Sequence, residues 1–347
     1  MPNSLSSRAK TALGHPLIRI LLSVILPVTA FGLLLITEGK NPIATYGVIL
    51  NAVFGSRYGF GEVIVKATFL ILTSLTAILP YRVGMANAGG EGQMAIGALA
   101  TAVAGTTVLS HLPAPIGIPL MLLSGMIGGG IWAGIAVLFK MKLRMNETLC
   151  SILMNYIATY FISFLLFGIL KDAKGWNYPQ TSEVASQLRF RSLFGTRANI
   201  GILISLAAAF AVWYVLRKTK FGFLIQTIGG NTRAALYSGL HVKKIQSLLF
   251  TVSGAFAGLA GAILIVGVEG RMRVDSGANM GFFGFLAAGI VGNNPLLAIL
   301  SAFLIAGLTV AGNAMEINTG LPSASIQILM MFVLLTIMAF GRRKKNA

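Results

Sequence analysis

The chain has 347 residues, of which 56% are hydrophobic and only 10% are charged. A soluble protein of this length carries far more charge, so the composition excludes an ordinary soluble globular protein and indicates a polytopic membrane protein. The formal net charge of +18 does not indicate nucleic-acid binding, because the basic residues form short clusters between apolar stretches, as expected of cytoplasmic loops.

The apolar stretches predict an all-α fold of about ten transmembrane helices, organised as one transmembrane domain over residues 1–347. Each membrane-spanning helix needs about 20 predominantly apolar residues. The predicted spans are, in chain order, residues 17–37, 63–83, 93–110, 116–139, 148–170, 199–216, 246–267, 277–293, 297–315 and 322–341.

The distribution of charge predicts the orientation of these spans. If the N-terminal tail, residues 1–16, is cytoplasmic, then 17 of the 27 Lys and Arg residues lie inside, the C-terminal cluster Arg342 to Lys345 among them. Only Glu91 and Glu147 of the nine acidic residues lie on that side. Because cytoplasmic loops are enriched in Lys and Arg, we predict that both termini are cytoplasmic.

Three polar segments separate the spans. Residues 38–62 are predicted to lie outside and to hold a short surface helix, and residues 171–198 form the largest external segment. Residues 217–245 form the largest internal segment. Within it, "TRAALYSGL" is predicted to be helical, capped by Asn231 or Thr232 and closed by Gly239.

The residues that would carry enzyme chemistry are missing from the sequence. There is no G-x-x-x-x-G-K-[ST] phosphate loop and no tight cluster of metal ligands, and the three histidines are far apart. Cys150 is the only cysteine, so no internal disulfide can form. We therefore expect no cofactor in this chain, and a carrier or a channel rather than an enzyme.

The stretch "NAGGEGQ", residues 87–93, interrupts apolar sequence with three glycines, two amides and a carboxylate. Asn87, Glu91 and Gln93 could line a pathway, since non-helical backbone at membrane depth is tolerated where it is buried in protein or lines a wet cavity. The alternative is a plain cytoplasmic turn between the second and third spans. The sequence leaves both interpretations open.

A second interruption, "GFFGFLAAGIVGNNPLLA" at 281–298, runs from the eighth span into the ninth. Glycine-broken segments at corresponding positions in two halves of a carrier indicate its binding site. We therefore predict two pseudo-repeats, formed by spans two to five and seven to ten, each with a glycine-broken helix.

Several stretches carry a family resemblance. "YRVGMANAGGEGQMAIGALA" resembles the permease subunits of ABC importers for simple sugars, nucleosides and branched-chain amino acids, which share N-x-G-x-E-G-Q between two spans. "GIVGNNPLLAIL" and "TKFGFLIQTIGGNTRAALYSGLHVKK" are similar to that group's L-G-x-N-N-P-x-G stretch and its cytoplasmic coupling segment. "MNETLCSILMNYIATYFISFLLFGILKDAKGWNYPQTSEV" and "FGSRYGFGEVIVKATFLILTSL" resemble the nucleoside branch.

The resemblance implies the membrane subunit of an ATP-driven importer in a bacterial cytoplasmic membrane. Its implied partners are a second permease subunit, identical or homologous, two ATPase subunits that use ATP, and an external substrate-binding protein or lipoprotein. It also implies contact with membrane lipid and none with nucleic acid. The expected substrate is a nucleoside; the alternatives are a simple sugar such as ribose and, with less support, a passive channel or a structural membrane protein.

Two groups of candidate residues follow. The predicted substrate path comprises Asn87, Glu91, Gln93, Asn155, Tyr156, Phe282, Phe283, Asn293 and Asn294. The predicted ATPase-coupling residues are Gly229, Gly230, Asn231, Arg233 and Gly239. Aromatic rings among the path residues could stack on a nucleobase, and the scarcity of predicted intramembrane charges favours a neutral solute.

Overall fold

A computed structural model describes residues 16–175, 177–193 and 195–341. Over these ranges the secondary structure is helical, apart from one isolated bridge between Gln180 and Arg273. Most of the predicted tail 1–16 and the basic cluster 342–345 lie outside the described residues.

The described ranges contain 13 α-helices, numbered here in chain order. They are α1 Pro16–Thr37, α2 Pro42–Phe54, α3 Arg57–Tyr81, α4 Gly90–Thr106, α5 Ala114–Leu143, α6 Glu147–Phe167, α7 Gly201–Lys218, α8 Lys220–Gly230, α9 Thr232–Tyr237, α10 Val242–Leu264, α11 Met280–Ile290, α12 Leu297–Thr319 and α13 Ala324–Gly341. A 3₁₀ turn, Ser186–Leu188, and a π-helical turn, Ile265–Glu269, complete the helical elements of these ranges.

Six of the described helices are long and apolar enough to cross a membrane: α3, α5, α6, α7, α10 with its π turn, and α12. This makes the chain an all-helical, multi-pass membrane protein. Each of the ten predicted spans overlaps a helix, but α11 has only 11 residues. At 1.5 Å per residue it is about 17 Å long, too short to cross a bilayer by itself. The number of crossings and the two pseudo-repeats stay predictions.

The short surface helix predicted within residues 38–62 ends at the first residue of the stretch "FGSRYGFGE", residues 54–62. It is α2, whose first turn is capped by the Asn41 side chain and which begins with a proline. Residues 57–62 already belong to α3. An Asn cap followed by Pro at the first helical position favours helix initiation at this point.

The chain divides into two compact units. The described residues within Met1–Phe60 and Ile305–Ala347 form the first, where α1 packs against α13. Gly61–Leu304 forms the second, built on the mutual packing of α4, α5 and α10, with α6 and α11 against α4. This division into compact units does not test the prediction of one transmembrane domain over residues 1–347.

Glycines set the spacing between α5 and α10. A Cβ atom on Gly129 would lie 2.6 Å from the Cα of Gly258, and one on Gly125 would lie 2.8 Å from the Gly258 carbonyl oxygen. The backbones therefore touch where only glycine fits, as small-residue motifs in membranes allow. A Cβ on the next glycine of α5, Gly130, would make only ordinary contacts with α10.

Candidate functional site

The two glycine-broken segments meet in the second unit. The N-terminus of α4, at Gly90, abuts the N-terminus of α11, at Met280. A Cβ on Gly90 would lie 3.6 Å from the Cα of Gly281, whereas one on Gly281 would overlap the backbone of Glu91. Glycine at position 281 is therefore required for the two helix starts to come this close.

The Glu91 carboxylate caps α11 from another helix. It accepts hydrogen bonds from the backbone N–H of Asn279, of Gly281 at 2.8 Å and of Phe282 at 3.4 Å. The first N–H groups of a helix have no partner within that helix, and its N-terminus favours negative charge. Glu91 thus satisfies the start of α11 and ties it to α4.

An amide and hydroxyl network holds the segment before α4. The Asn87 side chain donates to the Gln93 carbonyl oxygen and to the Ser253 hydroxyl, each at 3.0 Å, and the Gln93 amide donates back to Asn87 at 3.1 Å. Both side chains are buried. Their hydrogen bonds run within the protein, so these two residues shape the site more than they line a path.

Asn155 connects the same segment to α6. Its side chain accepts from the Gly92 N–H at 2.9 Å and donates to the Ala88 carbonyl at 3.0 Å, while the Ser151 hydroxyl accepts from the Ala88 N–H. Residues 85–90 are buried or half-buried in this setting. The segment is therefore enclosed by protein, which a plain solvated turn would not be.

The contacts of this segment lie well inside three long helices. Asn155 is eight residues from the start of α6 and Ser253 is 11 residues from the start of α10. Thr73, whose hydroxyl donates to the Met280 carbonyl at 3.0 Å, is eight residues from the end of α3. At 1.5 Å per residue these contacts lie about 12–17 Å from the helix ends.

The aromatic candidates are divided by the structure. Tyr156 is exposed on α6 and Phe282 is exposed next to the Glu91 carboxylate, but Phe283 is buried. The rings of Phe282 and Phe283 are 6.1 Å apart, and Tyr156 lies on a different helix from both. Phe282 therefore joins the junction of the two broken helices through its backbone, and its side chain is exposed.

Asn293 and Asn294 lie away from that junction, at the other end of α11. Asn293 adopts a left-handed backbone with φ of 60°, and its carbonyl accepts a hydrogen bond from Arg82 at 2.7 Å. The Asn294 side chain caps α12 by accepting from the Leu296 N–H at 3.1 Å. Both asparagines serve turn and cap geometry here.

The coupling segment contains the helix that the sequence predicted. The Asn231 side chain accepts from the Ala234 N–H at 3.0 Å at the start of α9, and Gly239 follows its end with φ of +80°. The coupling candidates Gly229 and Gly230 end α8, and the chain turns at Asn231. Arg233 is exposed on α9.

The tip of α9 carries an apolar surface that was not predicted from the sequence. Tyr237 is 93% exposed and Leu236 is 52% exposed, while Ala235 is fully buried beneath them. A six-residue helix with an exposed Tyr and Leu resembles an interface element, since aromatic anchors are enriched at protein contacts. In the sequence, this apolar surface corresponds to "ALY", residues 235–237, within the basic segment 217–245.

Two contacts connect this segment to the broken helix. The Cβ position of Gly229 faces the Arg82 carbonyl, with no room for a methyl group. The Gln246 side chain, in the first turns of α10, donates to the Val83 carbonyl at 3.0 Å. Arg82 and Val83 directly precede the enclosed segment that leads to Glu91.

The predicted external segment folds against the end of α10. The N–H groups of Thr181 and Val184 donate to the carbonyls of Met272 and Gly270, at 3.0 and 2.8 Å. Glu183 forms ion pairs with Arg189, at 2.7 Å, and with Arg271. This segment therefore has a fixed shape over its described residues.

Known proteins resemble the chain over almost its whole length. The family described as "Branched-chain amino acid transport system / permease component" matches residues 59–339. The chain belongs to this family. This permease component is 31% identical over 330 residues to a guanosine ABC transporter permease protein of Bacillus subtilis, with 93% of each chain covered.

Two further relatives differ in the solute that they are named for. A glucose ABC transporter permease protein of Haloferax volcanii is 32% identical over 327 residues, covering 90% of this chain and 85% of the relative. A nucleoside ABC transporter permease protein of Lactococcus lactis is 28% identical over 325 residues, covering 88% of both. The chain is thus a permease subunit of an ABC transporter and not an enzyme, which leaves the passive-channel alternative without support.

Proposed function

We propose that this permease imports nucleosides. The observation that carries the proposal is the identity with the Bacillus subtilis guanosine permease, which extends over 93% of both chains. The electrostatics of the junction agree with a neutral solute. Two helix N-termini contribute partial positive charge, and the Glu91 carboxylate opposes it. The other polar groups there are amides and hydroxyls, which suit a neutral polar solute.

The depth of the junction supports a role in the path. The hydrocarbon core of a bilayer is about 30 Å thick, so contacts about 12–17 Å from the helix ends lie near its middle. Broken helices that meet at mid-membrane are where carriers bind their solutes. Phe282 has an exposed side chain and a backbone N–H bonded to Glu91, so among the candidate aromatics it is the one we assign to stacking on a nucleobase.

The complete transporter, in this proposal, contains two permease subunits, two ATPases and an external binding protein. The permease crosses the inner membrane ten times with both termini in the cytoplasm. The exposed tip of α9 contacts an ATPase, and the external segment 171–198 offers the binding protein a preformed surface. ATP binding moves α9, and the membrane helices alternate between outward and inward access.

The contacts of Arg82 and Val83 supply a route for this motion. Displacing α8 and α9 moves the backbone against which Gly229 packs and to which Gln246 donates. That backbone leads into the enclosed segment, and Glu91 then transmits the shift to α11. The route is a series of direct contacts between residues. Its energetic coupling is measured by mutating those residues.

The test of the substrate uses the complete complex in proteoliposomes, with ATP inside the compartment that holds the ATPases. We expect uptake of radiolabelled adenosine or uridine that stops without ATP. Excess unlabelled guanosine should compete, whereas ribose and glucose should not. Omission of the binding protein should abolish uptake and serves as the control for passive leakage.

A simple sugar is the second candidate, favoured by the glucose permease that is 32% identical over 90% of this chain. ATP-driven glucose or ribose uptake without competition by nucleosides would establish that alternative. The Phe282→Ala variant separates the two further. Loss of a stacking ring should weaken nucleoside uptake by about tenfold, since such stacking contributes about 1–3 kcal/mol per base in nucleic-acid binders.

A further inference from the structure

A small cleft lies at the ends of α3 and α7 in the second unit. Its lining includes Asn294 from the candidate path and Arg82 from the coupling route, but no residue of the Glu91 junction and none of α9. It holds about 330 Å³ of empty space, counting the open volume at its mouth. Its lining residues are Arg82, Trp213, Leu216, Arg217, Gln226, Asn294 and Pro295. Two arginines thus share one cleft, and none of these lining residues carries a carboxylate.

Arg82 brings an unused hydrogen-bond donor to the cleft. One of its terminal nitrogens donates to the Asn293 carbonyl at 2.7 Å. Its Nε is buried and has no partner among the described residues, where it is the one buried side-chain nitrogen or oxygen in that state. A buried donor without an acceptor costs free energy, so the Arg82 guanidinium keeps unmet hydrogen-bonding capacity at the wall of the cleft.

The local charge is positive and uncompensated. Burial, and then the nearby Arg217 guanidinium, lower the pKa of Arg82 from its ordinary value. Gln226 uses its amide to donate to the Leu216 carbonyl at 2.9 Å, and Asn294 uses its oxygen to cap α12. The two guanidinium groups are left to face an anion. Planar guanidinium groups bind phosphate oxygens well.

An exposed apolar surface runs from the cleft along α7. Phe210, Tyr214 and Leu203 are all more than half exposed on this helix, and the Phe210 ring lies 5.3 Å from that of Trp213. An acyl chain could lie along this surface while its headgroup reaches the cleft. A soluble acidic protein that bound the two arginines would leave this apolar surface without a partner.

We propose that this cleft binds the phosphate of an anionic phospholipid headgroup, with the acyl chains along α7. The proposal rests on the orientation proposed above, which places Arg82 and Arg217 at the cytoplasmic membrane surface. Basic clefts between membrane helices on that side are suited to anionic lipids. The ligand class is a phosphate monoanion carried on lipid, and Trp213 sits where headgroup and acyl region meet.

The test measures lipid retained by the purified permease in native mass spectrometry. The probes are phosphatidylglycerol, phosphatidylcholine and inorganic phosphate alone. We expect phosphatidylglycerol to bind most tightly and the variant with Arg82→Gln and Arg217→Gln to bind it about tenfold more weakly, as loss of charge-assisted hydrogen bonds requires. The matched control, Lys243→Gln with Lys244→Gln, removes two exposed charges outside the cleft and should retain binding.

Three results would overturn the proposal. The first is equal phosphatidylglycerol binding by the cleft variant and the control. The second is occupancy by inorganic phosphate that phosphatidylglycerol does not displace. The third is unchanged lipid binding combined with weaker ATPase association, which would assign the cleft to a protein carboxylate.

A single variant separates lost lipid binding from a folding defect. Arg217→Gln alone removes an exposed side chain and should still reduce phosphatidylglycerol binding if Arg82→Gln harms folding. The lipid measurement needs neither substrate nor ATPase, and ATPase association is measured separately by co-purification. Neither result depends on whether the transported solute is a nucleoside.

Discussion

The Glu91 carboxylate connects two helices whose contact residues are 190 positions apart in the chain. Sequence alone suggested a polar group lining a path or sitting in a turn, and the geometry adds a capping role across helices. A carboxylate within a membrane protein is costly unless it has partners, and here three backbone N–H groups supply them. The residue is therefore expected to act through the position of α11.

Replacing Glu91 tests this cap. Glu91→Gln keeps one acceptor oxygen and should retain part of the transport activity, whereas Glu91→Leu leaves the three N–H groups unpaired. Each unsatisfied buried group costs about 1–3 kcal/mol, so the Leu variant should lose transport and melt at a lower temperature. The measurements are nucleoside uptake and thermal unfolding of the purified protein.

The control for Glu91→Leu is the same change at the exposed Glu38, which should leave uptake and melting unaltered. Full activity of both Glu91 variants would contradict the capping role.

Two adjacent glycines at the end of α8 offer a matched pair. A Cβ on Gly229 would overlap the Arg82 carbonyl, while one on Gly230 would have nothing within 4 Å. Gly229→Ala should therefore displace α8 from Arg82 and reduce ATP-driven uptake severalfold. Gly230→Ala should be neutral or stabilise the helix by up to about 1 kcal/mol.

Uptake and ATPase rate are measured together for these two variants. Uncoupling, in which ATP is hydrolysed without uptake, is the result expected of Gly229→Ala. Equal uptake by the two alanine variants would remove Gly229 from the coupling route.

At the scale of single elements, α9 is the feature whose shape most directly suggests a partner. It has six residues, one buried anchor, and an exposed Leu–Tyr pair at its tip. Such a helix gains little stability by itself, because isolated short helices are marginal in water. The Asn231 cap fixes the start of this helix, and Gly239, with its positive φ, follows its end.

Tyr237→Ala should weaken association with the ATPase. An aromatic anchor at an interface contributes about 2 kcal/mol or more, so affinity should fall at least about tenfold. The measurement is co-purification of the ATPase at increasing dilution. Tyr58→Ala, a similarly exposed tyrosine predicted to lie outside, is the control and should have no effect; a loss of affinity there too would point to a general defect.

Arg233→Glu tests the same proposed contact between α9 and the ATPase by reversing a charge. A reversal on an exposed loop helix normally changes the free energy of unfolding by only about 0.5 kcal/mol, so the permease should stay abundant in the membrane. Transport should nevertheless fall. Arg191→Glu, an exposed reversal in the external segment, should not affect ATP-driven coupling. Normal transport in Arg233→Glu would exclude an ATPase contact at that residue.

At the scale of the whole molecule, the orientation of the chain decides which surfaces meet which partners. The positive-inside distribution predicts that α9 lies in the cytoplasm and that residues 171–198 lie outside. Cys150 is the only cysteine of the chain, so a Cys150→Ala background has no thiol of its own to be labelled.

Cysteine labelling tests this orientation. An impermeant maleimide added to intact cells should label Ser192→Cys and fail to label Ser238→Cys until the cells are opened. Both serines are exposed, so accessibility within the protein does not limit the reaction. The reverse pattern would invert the topology and, with it, the side of the membrane assigned to the arginine cleft.

The sequence by itself determined the class of the protein, because apolar length, charge bias and local capping signals are local properties of the chain. It predicted helices near the six that are long enough to span, and it predicted α9 with a cap at Asn231 or Thr232, of which the structure has Asn231. Motif resemblance indicated the permease family, which the match over residues 59–339 confirms.

Only the tertiary structure decided which polar residues act together. Asn87 with Ser253, Glu91 with the start of α11, and Arg82 with Asn293 are pairs separated by more than 160 residues. Helix periodicity gives the face on which a side chain lies but not the helix that it meets. The close approach of glycine-bearing backbones decided that, since it brought the two broken helix starts into contact and left the Arg82–Arg217 cleft beyond the far end of α11.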